Sequence, residues 1–206
     1  MTKGGLITRR CFILAGVSLV ARAQKTVFNG TDFSGWQSVG PAAWTAEGDE
    51  LVGRFDKRRP GPGYMFTRQL FTDFKLALLF YISSGGRSCV CVREPRRQWD
   101  LEGESRPGFG PGSGYEVAID YRDENSPTGS ISTVQKSKKL AGAEEKWTEM
   151  EIICRGTEIR ISIAGQGVNR FNQLRVQPGV IGLGVVGPPS KDYVVRFRDI
   201  VISSLA

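Results

Sequence analysis

From residue 24 onward the chain alternates apolar and polar side chains with a period of two. No stretch keeps the three-to-four spacing of an amphipathic helix for more than a turn or two. Asp73 to Ser83 reads DFKLALLFYIS, with Phe74, Leu76, Leu78 and Phe80 on one face and Lys75, Ala77, Leu79 and Tyr81 on the other. Residues 87–93 set Val90 and Val92 against Cys89, Cys91 and Arg93. Residues 115–121 set Tyr115, Val117, Ile119 and Tyr121 against Glu116, Ala118 and Asp120. Further runs follow at 147–154, 157–164 (ending in a turn at Gly165-Gln166-Gly167), 180–186 and 193–203. A strand with one apolar face must bury that face against another layer. With 26 Gly and 10 Pro scattered along the chain to supply turns, the pattern predicts an all-β sandwich of two antiparallel sheets. No period of 20–50 residues recurs, which argues against a propeller or solenoid.

The first 23 residues read as an export signal. Arg9-Arg10 precede Phe12 and an apolar run of about eleven residues, and Ala21-Arg22-Ala23 offers small side chains to a signal peptidase. The paired arginines resemble a twin-arginine signal, the alternative being an ordinary signal peptide. The run falls short of the roughly 20 residues a transmembrane helix needs, and no other stretch is long and apolar enough. The domain is expected to occupy residues 24–206 and to sit in the periplasm or outside the cell, without stable membrane insertion. The net charge of +7 invites a nucleic-acid reading. Four of those charges, on Lys3, Arg9, Arg10 and Arg22, belong to the leader, and the remaining +3 gives little general attraction for a polyanion.

Histidine is absent from all 206 residues, which excludes a Ser–His–Asp triad, a Cys–His pair and an ordinary zinc site. Any base must be Asp, Glu, Lys, Tyr or Cys. No cofactor is expected, and any metal should be an oxygen-ligated one such as calcium, with Asp123-Glu124-Asn125 as the acidic turn to consider. Cys89 and Cys91 share one strand face, and either could pair with Cys154 if their strands were neighbours, or all three could be buried free thiols.

The segments FNGTDFSGW (28–36), ELVG (50–53), DFKLALLFYIS, GGRSCVCVR (85–93), GYEVAID (114–120), WTEME (147–151), IRISIAGQGV (159–168), VIGLGVVG (180–187) and VRFRDIVI (195–202) follow one another in an order that resembles the 3-keto-disaccharide hydrolase domain family. The resemblance spans roughly residues 26–205 and implies a concanavalin A-like jelly roll, shared with laminin G and legume-lectin domains. It also implies cleavage of glycosides oxidised to a ketone at sugar carbon 3. The sequence departs from the family's Gly-Gly-Asn-Ser-Gly at Gly85-Gly86-Arg87-Ser88-Cys89, and it lacks the histidines of some relatives.

Elimination from such a sugar needs a base for the C2 hydrogen, a cation for the enolate and an acid for the leaving group. If Val90 and Val92 face the core, strand parity sends Arg93 into the groove, and likewise Glu116 and Asp120. These three are the expected catalytic residues: Glu116 or Asp120 as base, Arg93 as oxygen clamp. The alternative for Arg93 is a structural ion pair with Glu116 across neighbouring strands. Glu116 and Asp120 lie four residues apart, about 13 Å along a strand, too far for the paired carboxylates of an ordinary glycosidase. Tyr81, Arg87 and Trp99 are the expected substrate contacts, Trp99 lying on a Gly/Pro-rich segment of about twenty residues (94–113) that reads as a site rim. Trp36, Trp44 and Trp147 are expected in the core. The expected ligand is a carbohydrate, either cleaved or held by a lectin-like binding module.

Overall fold

The computed structural model describes residues 25–26, 28–95, 114–186 and 191–205. The segment expected to be an export signal and Trp99 lie outside the described residues. The elements are all strands: β1 (Lys25–Thr26), β2 (Trp36–Val39), β3 (Ala43–Glu47), β4 (Glu50–Phe55), β5 (Gly63–Thr67), β6 (Phe74–Ile82), β7 (Ser88–Glu94), β8 (Tyr115–Ile119), β9 (Thr148–Arg155), β10 (Glu158–Ile163), β11 (Gln166–Phe171), β12 (Val180–Val185) and β13 (Tyr193–Ser204). They form two antiparallel sheets. The larger runs β11-β10-β9-β6-β13-β4-β3, with β1 added on β13, and the smaller runs β2-β5-β12-β7-β8. This is the expected jelly-roll sandwich. Among the described residues no helix is long and apolar enough to cross a membrane.

The period-two pattern is what seals the core. On β6, Phe74, Leu76, Leu78, Phe80 and Ile82 are all buried, while the residues between them are partly exposed. From the smaller sheet Val90, Val92, Val117, Ile119, Ile181, Leu183 and Val185 meet them in one continuous cluster. Trp36 and Trp44 join it as expected. Trp147 does not: it is only partly buried and lies under the guanidinium of Arg198, 4.3 Å from the ring centroid. It directly precedes β9, so parity alone did not fix its side. The expected turn at 165–167 is also displaced. Ala164 and Gly165 form a two-residue hairpin loop, both at positive φ (48° and 72°), and Gln166 already pairs with Ile163 in β11.

The consequential departure is at Arg93. Between Cys91 and Glu94 the chain spans three residue steps against two on β12, where Gly182 pairs with Cys91 and Val180 with Glu94. The extra residue is a β-bulge, and Arg93 takes φ 53° there. A bulge shifts side-chain parity by one. Arg93 therefore turns inward and is fully buried, instead of facing a groove as strand parity predicts. It is also not paired with Glu116. Its Nη2 meets Asp73 Oδ1 at 2.9 Å, Nε donates to Thr72 O at 2.9 Å, and Nη1 donates to Gly156 O at 2.7 Å and Arg175 O at 3.1 Å. Asp73 in turn accepts the Gly156 amide. One guanidinium thus ties the end of β7 to the start of β6, the β9–β10 turn and the segment before β12.

Removing the buried guanidinium leaves the partly exposed Asp73 carboxylate and three backbone carbonyls without their donor, at a cost of about 1–3 kcal/mol for each group left unsatisfied. Arg93→Met is therefore expected to lower the unfolding free energy by about 3 kcal/mol in urea titrations while leaving ligand binding by the folded protein unchanged. A substrate clamp would give the opposite pattern.

Candidate functional site

The outward face of the smaller sheet can be read row by row from its register. One row runs Gln37, Phe66, Gly182, Cys91, Glu116, and the next runs Val39, Tyr64, Gly184, Cys89, Ala118. Arg87 and Asp120 close the face at one end, and Glu94 with Val180 stands at the other. The two β12 glycines are required here. A Cβ on Gly182 would sit 2.3 Å from the Phe66 ring, and one on Gly184 2.4 Å from Cys89 Sγ and 2.9 Å from the Tyr64 ring. Tyr64 and Phe66 stack at 5.4 Å between centroids and, with Cys89, Cys91, Val39 and Val180, form a second apolar cluster outside the main core.

Glu116 lies in this face, partly exposed. β8 carries an additional edge segment: Ser132 N donates to Glu116 O, and Ser132 Oγ donates to Glu116 Oε1 at 3.1 Å. Burial pushes the Glu116 carboxyl above its ordinary range, against the opposing pull of the Ser132 and Cys89 hydrogen bonds and the charge of Arg87.

Asp120, expected to be equivalent, is not. β8 stops at Ile119, and the Asp120 carboxylate folds back to accept the amides of Arg122 and Asp123 at 2.8 and 3.0 Å. Arg87 Nε lies 2.7 Å from its other oxygen, an ion pair off the hydrogen-bonding angle, and Arg87 Nη2 reaches Asp123 at 3.3 Å. Asp120 is buried and its oxygens are engaged.

Tyr81 has the outward orientation its alternation implies, but on the other sheet. It pairs with Arg196 on β13, and its ring lies 5.9 Å from Trp147, so the whole core separates it from Glu116. Parity fixes which way a side chain points but not which sheet carries its strand. Asp123 does not read as a calcium ligand: one oxygen caps the amides of Asn125 and Ser126, and the other faces Arg87. Cys154 is buried on β9 in the larger sheet, Cys89 and Cys91 are on the smaller one, and all three are free thiols.

The structure thus brings Glu116, Arg87 and Asp120 to one face and withdraws Arg93 and Tyr81. Parity already put the thiols on that face; sequence reasoning missed Glu94 and Ser132 as members of it. Glu94 is buried there by the same bulge that turns Arg93 inward, and it accepts the Gly114 amide at 2.7 Å. The signal for Ser132 was absent, since its segment carries no alternation.

The sequence profile of the 3-keto-alpha-glucoside-1,2-lyase-like domain matches residues 23–203. The chain belongs to that family. Solved structures agree on the fold. A protein assigned as a glycosyl hydrolase from Parabacteroides distasonis superposes with a TM-score of 0.67 at 18% identity, covering 89% of this chain and 100% of that one. A Bacillus subtilis protein with a galectin-like fold gives 0.65 at 11% identity, over 88% and 94% of the two chains. The carbohydrate binding module CBM66 from Bacillus subtilis gives 0.59 at 16%, over 82% and 96%. No curated protein sequence matches the chain.

A carboxyl raised by folding favours the folded state while it is protonated. That contribution is fully present below the unfolded value near 4.5 and is lost as pH rises through the higher folded one. Glu116→Gln, neutral throughout, is therefore expected to melt at a higher temperature than the parent at about pH 7, with the difference closing toward about pH 4. Differential scanning calorimetry across that range reads it directly.

Proposed function

We propose that the outward face of the smaller sheet binds an oxidised glycoside and that Glu116 removes the hydrogen on sugar carbon 2. The observation that carries this reading is the contrast between two carboxylates on one strand. Asp120 is spent on Arg87 and two turn amides, whereas Glu116 is partly open, held by a neighbouring hydroxyl and made more basic by burial. A base of raised pKa is better matched to abstraction from carbon near neutral pH.

A ketone at carbon 3 acidifies the C2 hydrogen. The proton passes to Glu116, and the C–H electrons become the C2–C3 double bond of an enolate, with the negative charge on the carbon-3 oxygen. Arg87, whose charge already reaches Glu116, is the cation for that oxygen in place of the withdrawn Arg93. The enolate then re-forms the ketone, the C1–O bond breaks, and the departing oxygen takes the proton that Glu116 received. Water added across the resulting C1–C2 double bond gives the free 3-keto sugar. Membership of a 1,2-lyase-like family supports this sequence of steps. The leader supports export of the protein to the periplasm or beyond.

A second reading, a carbohydrate-binding module without turnover, draws on the likeness to CBM66 and on the withdrawal of Arg93 into a structural role.

A 3-keto-glucoside with a chromogenic leaving group separates the two. The lyase reading expects release that rises with pH through the Glu116 titration, its acid limb lying above the ordinary carboxyl value of 4.5. Glu116→Gln is expected to lower the rate by about a hundredfold or more, while Asp120→Asn acts mainly on stability. Glycan binding by the parent protein with no release would replace the lyase reading with the binding one.

A further inference from the structure

Cys89 and Cys91 stand two residues apart on β7 and project from the same outward face, and Glu116 is the cross-strand partner of Cys91. The two sulfurs are 4.0 Å apart, and with one carboxylate oxygen of Glu116 all three donor atoms lie within 4.8 Å of one another. Among the described residues this is the one such cluster of metal-ligating side chains.

The spacing suits a metal better than a disulfide. Zinc–sulfur bonds of about 2.3 Å at a tetrahedral angle hold two sulfurs about 3.8 Å apart, and a carboxylate oxygen about 3.5 Å from each. The sulfurs are already close to that separation, and the carboxylate oxygen, within 4.8 Å of them, has to move in by up to about 1.3 Å. A disulfide needs the sulfurs at about 2.05 Å. It would also have to bridge α-carbons about 6.6 Å apart on an extended strand, close to the upper limit of what such a bond spans.

The donor set selects the class of ion. Two thiol sulfurs and one carboxylate oxygen make a mixed soft and hard set. Calcium and magnesium do not displace thiol protons, whereas thiophilic ions do. Three protein ligands also leave one coordination position free, the pattern of open rather than purely structural zinc sites. The partly exposed Glu116 gives access from solvent, and Gly184 keeps the neighbouring strand clear of the Cys89 sulfur.

We propose that Cys89, Cys91 and Glu116 form a three-ligand site for a thiophilic divalent cation of the zinc class. The site stands whether or not the face turns over sugar. Where it does, cation and C2 proton compete for the same carboxylate.

The test uses the full chain, reduced, stripped with chelator and titrated with cobalt(II), then with zinc in competition. The expected result is one equivalent bound, with sulfur-to-cobalt charge-transfer absorption and intense tetrahedral visible bands that zinc abolishes. Cys89→Ser and Cys91→Ser should each weaken binding by at least about tenfold and reduce the charge-transfer intensity. The double variant should lose both, and Cys154→Ser should keep both. Glu116→Gln should weaken binding while leaving the sulfur band of the bound form. Alanine variants replace serine wherever a buried hydroxyl unfolds the chain. Binding of cobalt by the double variant with an unchanged spectrum overturns the proposal. So does a parent protein that carries a Cys89–Cys91 disulfide in peptide mapping and binds no cobalt after reduction.

Discussion

Two sheets pressed face to face leave every strand only one side for anything other than the core. In this protein the larger sheet gives its inner side to Phe74, Leu76, Leu78, Phe80 and Ile82, and the smaller sheet gives its own to Val90, Val92, Val117, Ile119, Ile181, Leu183 and Val185. The chemistry-bearing residues of β7 and β8 are therefore confined to the opposite rows, where register, not choice of residue, decides which side chains meet. Cys91 meets Glu116 because they are ladder partners, and Arg87 meets Asp120 at the end of the same face, beyond the Cys89–Ala118 row. The two β12 glycines between them and the aromatic pair Tyr64–Phe66 make the same point from the other side. A side chain at Gly182 or Gly184 would collide with its row neighbours.

Alternation was legible in the sequence, and with it the sandwich, the strand faces and the buried Trp36 and Trp44. Three things were not. The bulge at Arg93 changes parity through a backbone conformation, φ 53° on a non-glycine residue, which no side-chain pattern announces. Its one trace in the sequence is Gly179, where a Cβ would come within 2.2 Å of the Arg93 carbonyl carbon. A Pro-Gly pair marks a turn but does not name the strand it presses against. The sheet assignment of Tyr81 was equally hidden, since β6 and β7 are consecutive in the chain yet lie in different sheets. The third is the fate of Asp120. Its position in an apparent strand continuation gave it a free carboxylate, whereas the chain turns there and the carboxylate becomes part of the turn.

That last contrast shows how environment separates two carboxylates of similar sequence context. Asp120 sits where amides and Arg87 converge, so its oxygens are taken up by those contacts. Glu116 sits where burial outweighs one hydroxyl and a more distant positive charge, so its proton is held more tightly. Divergent environments of this kind are how a single fold assigns structural and chemical roles to like groups. The chain belongs to a 1,2-lyase-like family, and these contacts are what support the proposal of Glu116, not Asp120, as its base.

The thiols extend the argument. Cysteine in a β-sandwich ordinarily needs no explanation, because it behaves as a small hydrophobe on the core side, and Cys154 on β9 fits that account, its thiol pushed up to about 12 by burial. Cys89 and Cys91 lie on the side turned away from the main core, in a separate small cluster, next to a carboxylate that is itself partly exposed. Gly184, directly across the ladder, leaves the volume that the Cys89 sulfur fills. Two sulfurs at metal-bridging distance beside a carboxylate oxygen are a more specific arrangement than packing requires, and that excess of specificity over packing is the physical ground for assigning the cluster a ligand.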